Sequence, residues 1–274
     1  MKWIDGDSEA LPEFTAVDGA GEAPALSRWG NYLETVSAYG DERDRPDLDT
    51  TSRMSIPLKY GEIHPRTMLA DLAQERCAGA EAYRRELAWR EFCAELLARY
   101  PHAAWKPVRS QFERMEYGVP GEAFEAWRRG LTGFPFVDAG MRELAQTGFM
   151  HNRVRMVVAS FLVKDMFVHW KHGARWFMRN LVDGDLASNS LNWQWVAGCG
   201  ADAAPYFRIF NPISQGLKFD PQGDYVRRWV PELAHLPGSS VHESWNAKAS
   251  GYPEPVVDHS EARREALRRY AAIR

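Results

Sequence analysis

Apolar side chains recur every three or four residues along most of this chain, which is the pattern of helices that bury one face. The segments that carry it are 28–39, 65–78, 81–100, 122–129, 138–147, 152–172 and 174–182. Pro65 suits the first position of a helix, and Gly148 and Gly173 suit helix ends. We find no convincing run of alternating polar and apolar residues, so the sequence predicts an all-α fold.

The same pattern divides the chain into a leader and one domain. Residues 1–25 are rich in Gly, Glu, Asp, Ala and Pro and show little periodicity, so we expect a poorly ordered leader there. Residues 26–274 are expected to form one helical domain. A chain of 274 residues with 45% hydrophobic and 26% charged residues is long enough to bury a single large core.

Composition and charge then narrow the classes of partner. A net charge of −3 excludes a uniformly basic nucleic-acid binder, although a local basic groove stays open. Eleven tryptophans exceed what packing usually requires, and indole rings also stack on flavins and bases. The partner must therefore be identified from local clusters of residues.

Cysteine and histidine spacing argues against a disulfide framework and a metal site. Cys77, Cys93 and Cys199 lie far apart without metal-ligand spacing, which suits a reducing cytoplasm. His169 and His172 are three residues apart, but no further ligand stands at a suitable distance along the chain. We expect these side chains to be structural.

The sequence also lacks the features of a membrane or secreted protein. The apolar run 156–163 stops at Lys164 and is too short to span a bilayer. Residues 1–7 are acidic and are not followed by an apolar run, which argues against a secretory signal. We expect a soluble, cytoplasmic protein with no membrane partner.

Three clusters combine charge and indole in a way that a plain helical core does not need. They are His151-Asn152-Arg153-Val154-Arg155-Met156, Asp183-Gly184-Asp185-Leu186-Ala187-Ser188-Asn189 and Trp193-Gln194-Trp195. An arginine at the start of a buried helix is costly unless it is paired, and Asp183 or Asp185 is the natural partner. From these residues alone, a purely structural Arg–Asp ion pair is the alternative to a ligand-binding site.

Two further motifs also have both a functional and a structural explanation. The stretch 51–55 offers hydroxyl and N–H groups just before a helix, an arrangement that binds phosphate, but N-capping alone also explains it. Glu86, Trp89 and Arg90 share one helix face, as they would on a solvated helix with a buried tryptophan.

Seven stretches, in this order, resemble the FAD-binding catalytic domain of the DNA photolyase and cryptochrome family, most closely the bacterial cyclobutane pyrimidine dimer photolyases. They are TSRMS (51–55), ELAWREF (86–92), TGFPFVDAGMREL (132–144), HNRVRM (151–156), DGDLASN (183–189), WQW (193–195) and DAAPYFRIFNP (202–212). The resemblance runs from about Tyr39 to about Glu261. It implies a multi-helical photolyase-type fold with FAD as cofactor.

The resemblance implies that FAD is bound in a folded-over shape by one set of residues. These are Tyr39, Thr51, Ser52, Arg53, Met54, Ser55, Arg90, Asn152, Arg155, Asp183, Gly184, Asp185 and Asn189. Asn189 falls where the family places the residue that faces flavin N5. Asparagine there is typical of photolyases, whereas plant cryptochromes carry aspartate, so Asn189 favours repair over signalling.

A second set of residues is implied to bind DNA that contains a pyrimidine dimer. These are Arg43, Glu86, Trp89, Arg153, Met156, Trp195 and Gln215. Met156 resembles the dimer-specific enzymes, since the (6-4) branch usually has histidine there. A damaged pair is already poorly stacked, so its extrusion costs about a few kcal/mol, and stacking on indoles returns roughly 1–3 kcal/mol per base.

The implied reaction is that of a deoxyribodipyrimidine photo-lyase, in which excited reduced FAD gives one electron to the dimer. Glu86 is implied to stabilise the dimer radical, and Asn189 to tune the flavin. Trp193 and Trp170 match the inner two members of the family's tryptophan relay. Tyr117 stands at the outermost position, where oxidation also requires loss of the phenolic proton.

The chain departs from the family pattern at its front. Family members normally carry an N-terminal α/β domain that binds an antenna pigment, and only a short leader precedes Tyr39. A truncated gene, a split protein with a separate antenna subunit and a minimal enzyme all stay open. We expect a monomer. A cryptochrome-like photosensor, an inactive remnant and a single-stranded DNA-binding domain are the alternatives to repair.

Overall fold

The computed structural model describes residues 19–201, 207–247 and 251–274. Within these ranges the chain is helical, and its β-structure is limited to one isolated bridge between Gly118 and Val168. The predicted all-α class is confirmed. The α-helices are α1 (Glu22–Leu33), α2 (Tyr39–Glu42), α3 (Ser55–Tyr60), α4 (Pro65–Leu72), α5 (Ala78–Arg99), α6 (Glu122–Arg129), α7 (Pro135–Thr147), α8 (Asn152–Ser160), α9 (Trp170–Asn180), α10 (Leu186–Ala197), α11 (Pro212–Phe219), α12 (Asp224–Trp229) and α13 (His259–Ala272).

Short segments of other helix types connect or extend these helices. Turns of 3₁₀-helix lie at Val36–Ala38, Pro101–Ala104, Ser110–Arg114, Pro231–Leu233 and Gly238–Ala247. A π-helix, Phe161–Asp165, continues directly from the end of α8.

Local capping explains where several helices begin and end. Pro65 is the first residue of α4, and Gly148 ends α7 with a φ of 67°, as predicted. Helices α11 and α13 were not predicted, although each begins with a side-chain cap. Asn211 accepts hydrogen bonds from the first turn of α11, and Asp258 accepts one from the first turn of α13.

The segment 152–172 is not a single helix, and that prediction was wrong. After α8 and its π-helical extension, the chain leaves the helical path at Phe167, which has a φ of 55°. Helix α9 then begins at Trp170, with the His169 side chain as its cap. The apolar pattern continues across the break because the residues on both sides enter the same core, so periodicity alone did not reveal it.

Gly173 lies inside α9, so its prediction as a helix end was also wrong. A Cβ at this position would lie 2.1 Å from Cη2 of Trp193 and 2.6 Å from Cδ2 of Leu162. The glycine is therefore required by space: it lets α9 and α10 approach closely, with the Trp193 indole packed directly against the α9 backbone.

Other predicted boundaries differ by several residues. Helix α1 begins at Glu22, inside the range expected to be a leader, and the rest of that prediction, residues 1–18, lies outside the described residues. Helix α4 ends at Leu72, six residues before the predicted end at residue 78. The predicted segment 28–39 covers the end of α1 and the turn that follows it.

The core has two large parts joined by a small one. Trp127 and Tyr225 lie in the larger part, which is built mainly from α6 to α10 and α12. Trp29 lies in the second part, which α1, α3, α4 and α5 enclose. Cys93 of α5 and Leu191 of α10 belong to the small cluster that joins the two helices. The predicted site residues come from both sides of this junction.

Three general features complete the fold. None of the helices in the described ranges has the length and apolar character needed to cross a bilayer. These ranges also bring together no group of three His, Cys, Asp or Glu side chains placed to hold a metal ion. The three cysteines are free thiols, and burial raises the pKa of Cys93 to about 11 and that of Cys199 to about 12.

Candidate functional site

Arg155 and Asp183 form the predicted ion pair. Arg155, in the first turn of α8, donates from Nη2 to both carboxylate oxygens of Asp183 at 3.0 and 2.8 Å. Its Nε donates to the Met150 carbonyl at 2.7 Å, and the Asp183 side chain is only 2% exposed. A charge pair this deeply buried persists when further hydrogen bonds hold it, as the Met150 carbonyl does here.

Asp185 and Asn189 occupy the first turn of α10, next to this pair. Asp185 caps the helix, because one of its carboxylate oxygens accepts a hydrogen bond from the Ser188 N–H at 2.8 Å. Asn189 donates from Nδ2 to the Ala174 carbonyl at 2.9 Å, which leaves its Oδ1 as an acceptor. We call Arg155, Asp183, Asp185 and Asn189 the buried cluster, after its buried carboxylate Asp183; the other three side chains are half-buried.

Gly184 makes the bend between the two aspartates without a positive φ. Its N–H donates to the Leu181 carbonyl at 3.1 Å, and a Cβ would lie 3.1 Å from the same oxygen. The glycine is therefore explained by the close approach of the preceding turn, which helps to direct Asp183 inward and Asp185 toward α10.

The stretch 51–55 lies beside the buried cluster. The guanidinium groups of Arg53 and Arg155 lie 5.1 and 5.4 Å from the centroid of the same Phe149 ring. Arg53 adopts a φ of 53° and pairs with Asp49 at 3.0 Å. Ser52 Oγ forms a hydrogen bond of 2.7 Å with the Tyr83 hydroxyl, which ties this stretch to α5.

The other predicted flavin residues differ in what they can offer a ligand. Tyr39 packs against Tyr83, with ring centroids 4.9 Å apart, and Arg90 donates from Nη2 to the Leu58 carbonyl at 3.3 Å. Met54 is different, because its side chain is buried in the N-terminal part of the core, so only its backbone is available to a ligand. Three polar residues, half-buried or exposed, complete the predicted set: Thr51, Ser55 and Asn152.

This arrangement fits the flavin that the sequence predicts. The buried hydroxyls of Tyr32 and Thr50 have no hydrogen-bond partner in the described structure, and Thr50 directly precedes the hydroxyl-rich stretch 51–55. Unpartnered buried hydroxyls are unfavourable and suit a polar ligand. Arginine and hydroxyl groups suit phosphates, while the carboxylates and Asn189 suit N–H and hydroxyl donors.

The predicted DNA residues lie on a more open surface. Glu86 and Arg43 form an ion pair of 2.6 Å between α5 and the end of α2, with both side chains a quarter to a third exposed. Trp89, one turn further along α5, is 52% exposed, and its ring lies edge-on to that of Phe92 with centroids 5.6 Å apart. The structural explanation of a buried Trp89 is therefore wrong. We call Arg43, Glu86, Trp89, Arg153 and Gln215 the open face.

Arg153 is held by a contact that sequence reasoning missed. Its Nη2 and Nε donate to the two oxygens of Asp44 at 2.7 and 3.2 Å, and its guanidinium lies 4.4 Å from the centroid of the Phe219 ring. Met156 and Trp195 are partly buried against the larger core. The acidic residue one position after Arg43 was the available clue to this pair.

A cavity of about 470 Å³ brings together two members of the open face, Arg153 and Gln215. Its walls are completed by α13 and by residues 207–210, which belong to the predicted marker 202–212; residues 202–206 of that marker lie outside the described residues. Trp195 is near its edge, because the Arg208 guanidinium lies 5.8 Å from the Trp195 ring centroid. Glu86, Trp89 and Met156 are not among the lining residues.

The three predicted relay residues lie in one aromatic region. Trp193 and Trp170 are buried, and Phe177 contacts the Trp193 ring at 5.0 Å. His169 lies between Trp170 and Tyr117, at centroid distances of 5.6 and 4.7 Å. Burial raises the pKa of Tyr117 and is the main cause that lowers the pKa of His169 to about 4, so that both rings are neutral at pH 7.

His151 organises the start of α8. Its Nδ1 accepts a hydrogen bond from the Arg153 N–H at 3.2 Å, whereas its Nε2 is buried without a partner among the described residues. Burial, opposed by Asp44 and assisted by Arg155, lowers the pKa of His151 to about 4. The imidazole is therefore neutral at pH 7, next to two guanidinium groups.

Most of the chain is similar to known proteins. A family described as the FAD binding domain of DNA photolyase matches residues 83–272. The chain is 44% identical over 278 residues to the deoxyribodipyrimidine photo-lyase of Agrobacterium fabrum, covering 96% of this chain and 58% of that protein. It is 46% identical over 265 residues to that of Escherichia coli, covering 92% and 56%.

Two solved structures are similar over the same region. A class III photolyase from Agrobacterium tumefaciens superposes with a TM-score of 0.90 at 43% identity, over 96% of this chain and 58% of that one. A cryptochrome from Synechocystis superposes with a TM-score of 0.86 at 33% identity, over 94% and 58%. The chain thus spans less than two thirds of the relatives that it matches.

Proposed function

This chain belongs to the family of FAD-binding domains of DNA photolyases, and from that we propose that it is the catalytic domain of a light-driven lyase that splits cyclobutane pyrimidine dimers in DNA. The family confirms the predicted photolyase-type fold and FAD as the cofactor. The observation that carries the proposal is Trp89, an indole 52% exposed that lies one helical turn from Glu86 of the Glu86–Arg43 pair, so that a stacking ring and a carboxylate share one face of α5.

On this proposal, the buried cluster and the stretch 51–55 hold FAD. Arg155 and Asp183 provide opposite charges in a fixed geometry, and Asn189 Oδ1 accepts a hydrogen bond from the flavin ring. Ser52 and the backbone N–H groups near it hold the phosphates, together with the Arg53 guanidinium. Bound FAD supplies the absorption of light and the electron that splits the cyclobutane ring.

The open face receives the dimer. Trp89 and Trp195 stack on the extruded bases, which offsets the cost of unstacking them. Glu86 is held at a fixed place by Arg43, so its remaining carboxylate oxygen can accept a hydrogen bond from a thymine N–H. Arg153 turns from Asp44 toward a DNA phosphate, and Met156 packs beside the lesion.

The relay residues keep the flavin reduced. Trp193 and Trp170, both buried, would pass electrons inward to the bound cofactor, and Tyr117 would be the outer donor, next to His169. We also propose that the protein acts as a monomer on DNA. We propose a separate antenna subunit that harvests light as a further partner.

The test is repair by the purified protein. The protein is supplied with FAD, reduced, and mixed with dimer-containing oligothymidine, and the recovery of thymine ultraviolet absorbance is followed under blue light and in darkness. Recovery in blue light only is expected. Bound FAD without recovery would contradict repair and favour a photosensor, whereas failure to bind FAD would favour an inactive remnant.

A variant pair makes the test specific to the open face. Trp89→Ala is expected to weaken binding of the dimer by about 1–3 kcal/mol and to leave FAD binding unchanged. Trp105→Ala removes another exposed indole, 44% exposed, that lies outside the predicted site, and is expected to change neither. An equal loss of FAD and dimer binding in Trp89→Ala would contradict the assignment.

A further inference from the structure

The cavity beside the open face shares Arg153 and Gln215 with it, but Glu86, Trp89 and Met156 do not line it. It lies between α11, α13 and the stretch 207–210, and its volume of about 470 Å³ is that of a small-molecule site. Among its lining residues, only Arg153 and Gln215 were predicted to contact DNA. Helix α13 carries none of the predicted flavin or DNA residues.

The charge of the cavity favours an anion. Four cationic side chains, Arg153, Arg208, Lys218 and Arg263, line it together with one carboxylate, Asp44. The chain as a whole has a net charge of −3, so this is a local basic patch on an acidic protein. Asp44 is already paired with Arg153, and Lys218 and Arg263 are exposed, with no carboxylate partner in the described structure. Phosphate groups suit such a patch.

The remaining walls favour a ligand that is partly apolar and donates hydrogen bonds. Phe207, Phe210 and Phe219 line the cavity as buried rings, at most 9% exposed, and so provide an apolar wall. Gln215 also lines the cavity, and its Oε1 is buried without a hydrogen-bond donor among the described residues. A glutamine amide pairs with adenine in particular, because it accepts from the N6 amine while it donates to N7.

We propose that this cavity receives an adenine of DNA that has lost its partner to the extruded dimer, with Lys218 and Arg263 on the adjacent phosphates. The inference rests on the proposed repair of thymine dimers: thymine pairs with adenine, so extrusion of two thymines leaves two adenines unpaired. The cavity adjoins the lesion site through Arg153 and through Arg208, which reaches the Trp195 ring. An unpaired adenine is therefore available next to a site with the matching chemistry.

The first experiment measures binding of dimer-containing duplexes in darkness by fluorescence anisotropy. One duplex carries adenine opposite the dimer, and a second carries purine, which lacks the N6 amine. The wild-type protein is expected to bind the purine duplex about 5- to 100-fold more weakly. In Gln215→Leu this difference is expected to disappear, because the amide is no longer present to read the base.

The second experiment tests the role of α13 with a matched pair of variants. Arg263→Ala removes a cation from the cavity wall, whereas Arg264→Ala removes the neighbouring exposed arginine, which is near Glu261 and does not line the cavity. Arg263→Ala is expected to reduce the salt dependence of duplex binding by about one phosphate contact. Arg264→Ala is expected to leave it unchanged.

The outcomes separate this inference from the proposed function. Dimer-specific binding with equal affinity for the adenine and purine duplexes overturns the adenine site and leaves repair standing. Loss of dimer-specific binding altogether overturns both. A free adenine mononucleotide that competes with the duplex in the wild type, and not in Gln215→Leu, supports the site, whereas mononucleotide binding that leaves duplex affinity unchanged overturns its assignment to DNA.

Discussion

The buried cluster and the open face use the same chemical groups in opposite ways. Arg155 and Asp183 are fixed to each other, with the carboxylate 2% exposed, so their charges are in place before a ligand arrives. Arg43 and Arg153 are also paired, with Glu86 and Asp44, but these two carboxylates are 34% and 31% exposed. The first arrangement suits a resident cofactor, and the second suits a partner that binds and leaves.

The largest expected effect comes from breaking the buried pair. Asp183→Ala leaves the Arg155 guanidinium without its carboxylate and is expected to lower the free energy of unfolding by about 3–4 kcal/mol. Asp49→Ala breaks the exposed pair with Arg53 and is expected to cost less than about 1 kcal/mol. Urea denaturation of both variants measures the difference. Equal effects would mean that the burial of Asp183 does not set the strength of its pair.

The second prediction concerns the histidine that begins α8. The pKa of His151 is about 4 in the folded protein and 6.5 in the unfolded chain. Between these two pH values the unfolded chain therefore binds more protons than the folded protein. His151 therefore contributes stability above pH 6.5 that is lost as the pH falls toward 4, by up to about 3 kcal/mol.

The variant His151→Asn keeps a helix-capping side chain and removes this titration. The difference in unfolding free energy between wild type and His151→Asn is expected to change steeply from pH 6.5 to 4 and to be flat above pH 7. The comparison is needed because Asp220, whose pKa burial raises to about 6, acts in the opposite direction below pH 6. A difference that does not vary with pH would contradict the buried, neutral state of His151.

A smaller effect is expected from crowding the Trp193 indole. Gly173→Ala places a methyl group where Cη2 of Trp193 lies and is expected to destabilise the protein by about 2 kcal/mol. Gly30→Ala, in the middle of α1 with open space around it, is expected to stabilise by roughly 0.5–1 kcal/mol. Thermal unfolding distinguishes the two signs, and destabilisation by both would show that the contact with Trp193 is not the cause.

The smallest effect is expected on the open face itself. Asp44→Asn removes the carboxylate that holds Arg153 and is expected to strengthen binding of undamaged DNA by about 1 kcal/mol, with a steeper dependence on salt. Asp49→Asn serves as a control, because its carboxylate pairs with Arg53 instead. Unchanged DNA affinity in Asp44→Asn would indicate that Arg153 does not exchange its carboxylate for a phosphate.

The difference between the two regions also explains what could be predicted from the sequence. The Arg155–Asp183 pair was predictable because a buried charge requires a partner and few residues could provide one. The Arg153–Asp44 pair was not, because Asp44 is 31% exposed and several other acidic residues near the surface could have paired with the arginine. Surface pairing leaves little trace in one sequence.

The same reasoning applies to the fold. Helix ends at Pro65 and Gly148 were predictable, because their causes are local to the backbone. The break near Phe167 and the position of Gly173 depend on contacts with other helices, above all with Trp193, and these become apparent only when α9 and α10 are packed together.

The burial of the thiols of Cys93 and Cys199 bears on the proposed light-driven function. A flavin in light and oxygen also generates peroxide, and peroxide attacks cysteine as the thiolate. Because burial raises the pKa of Cys93 to about 11 and that of Cys199 to about 12, both sulfur atoms stay protonated at cellular pH. The packing that closes the helices together thereby protects the interior from the oxidant that its own cofactor produces.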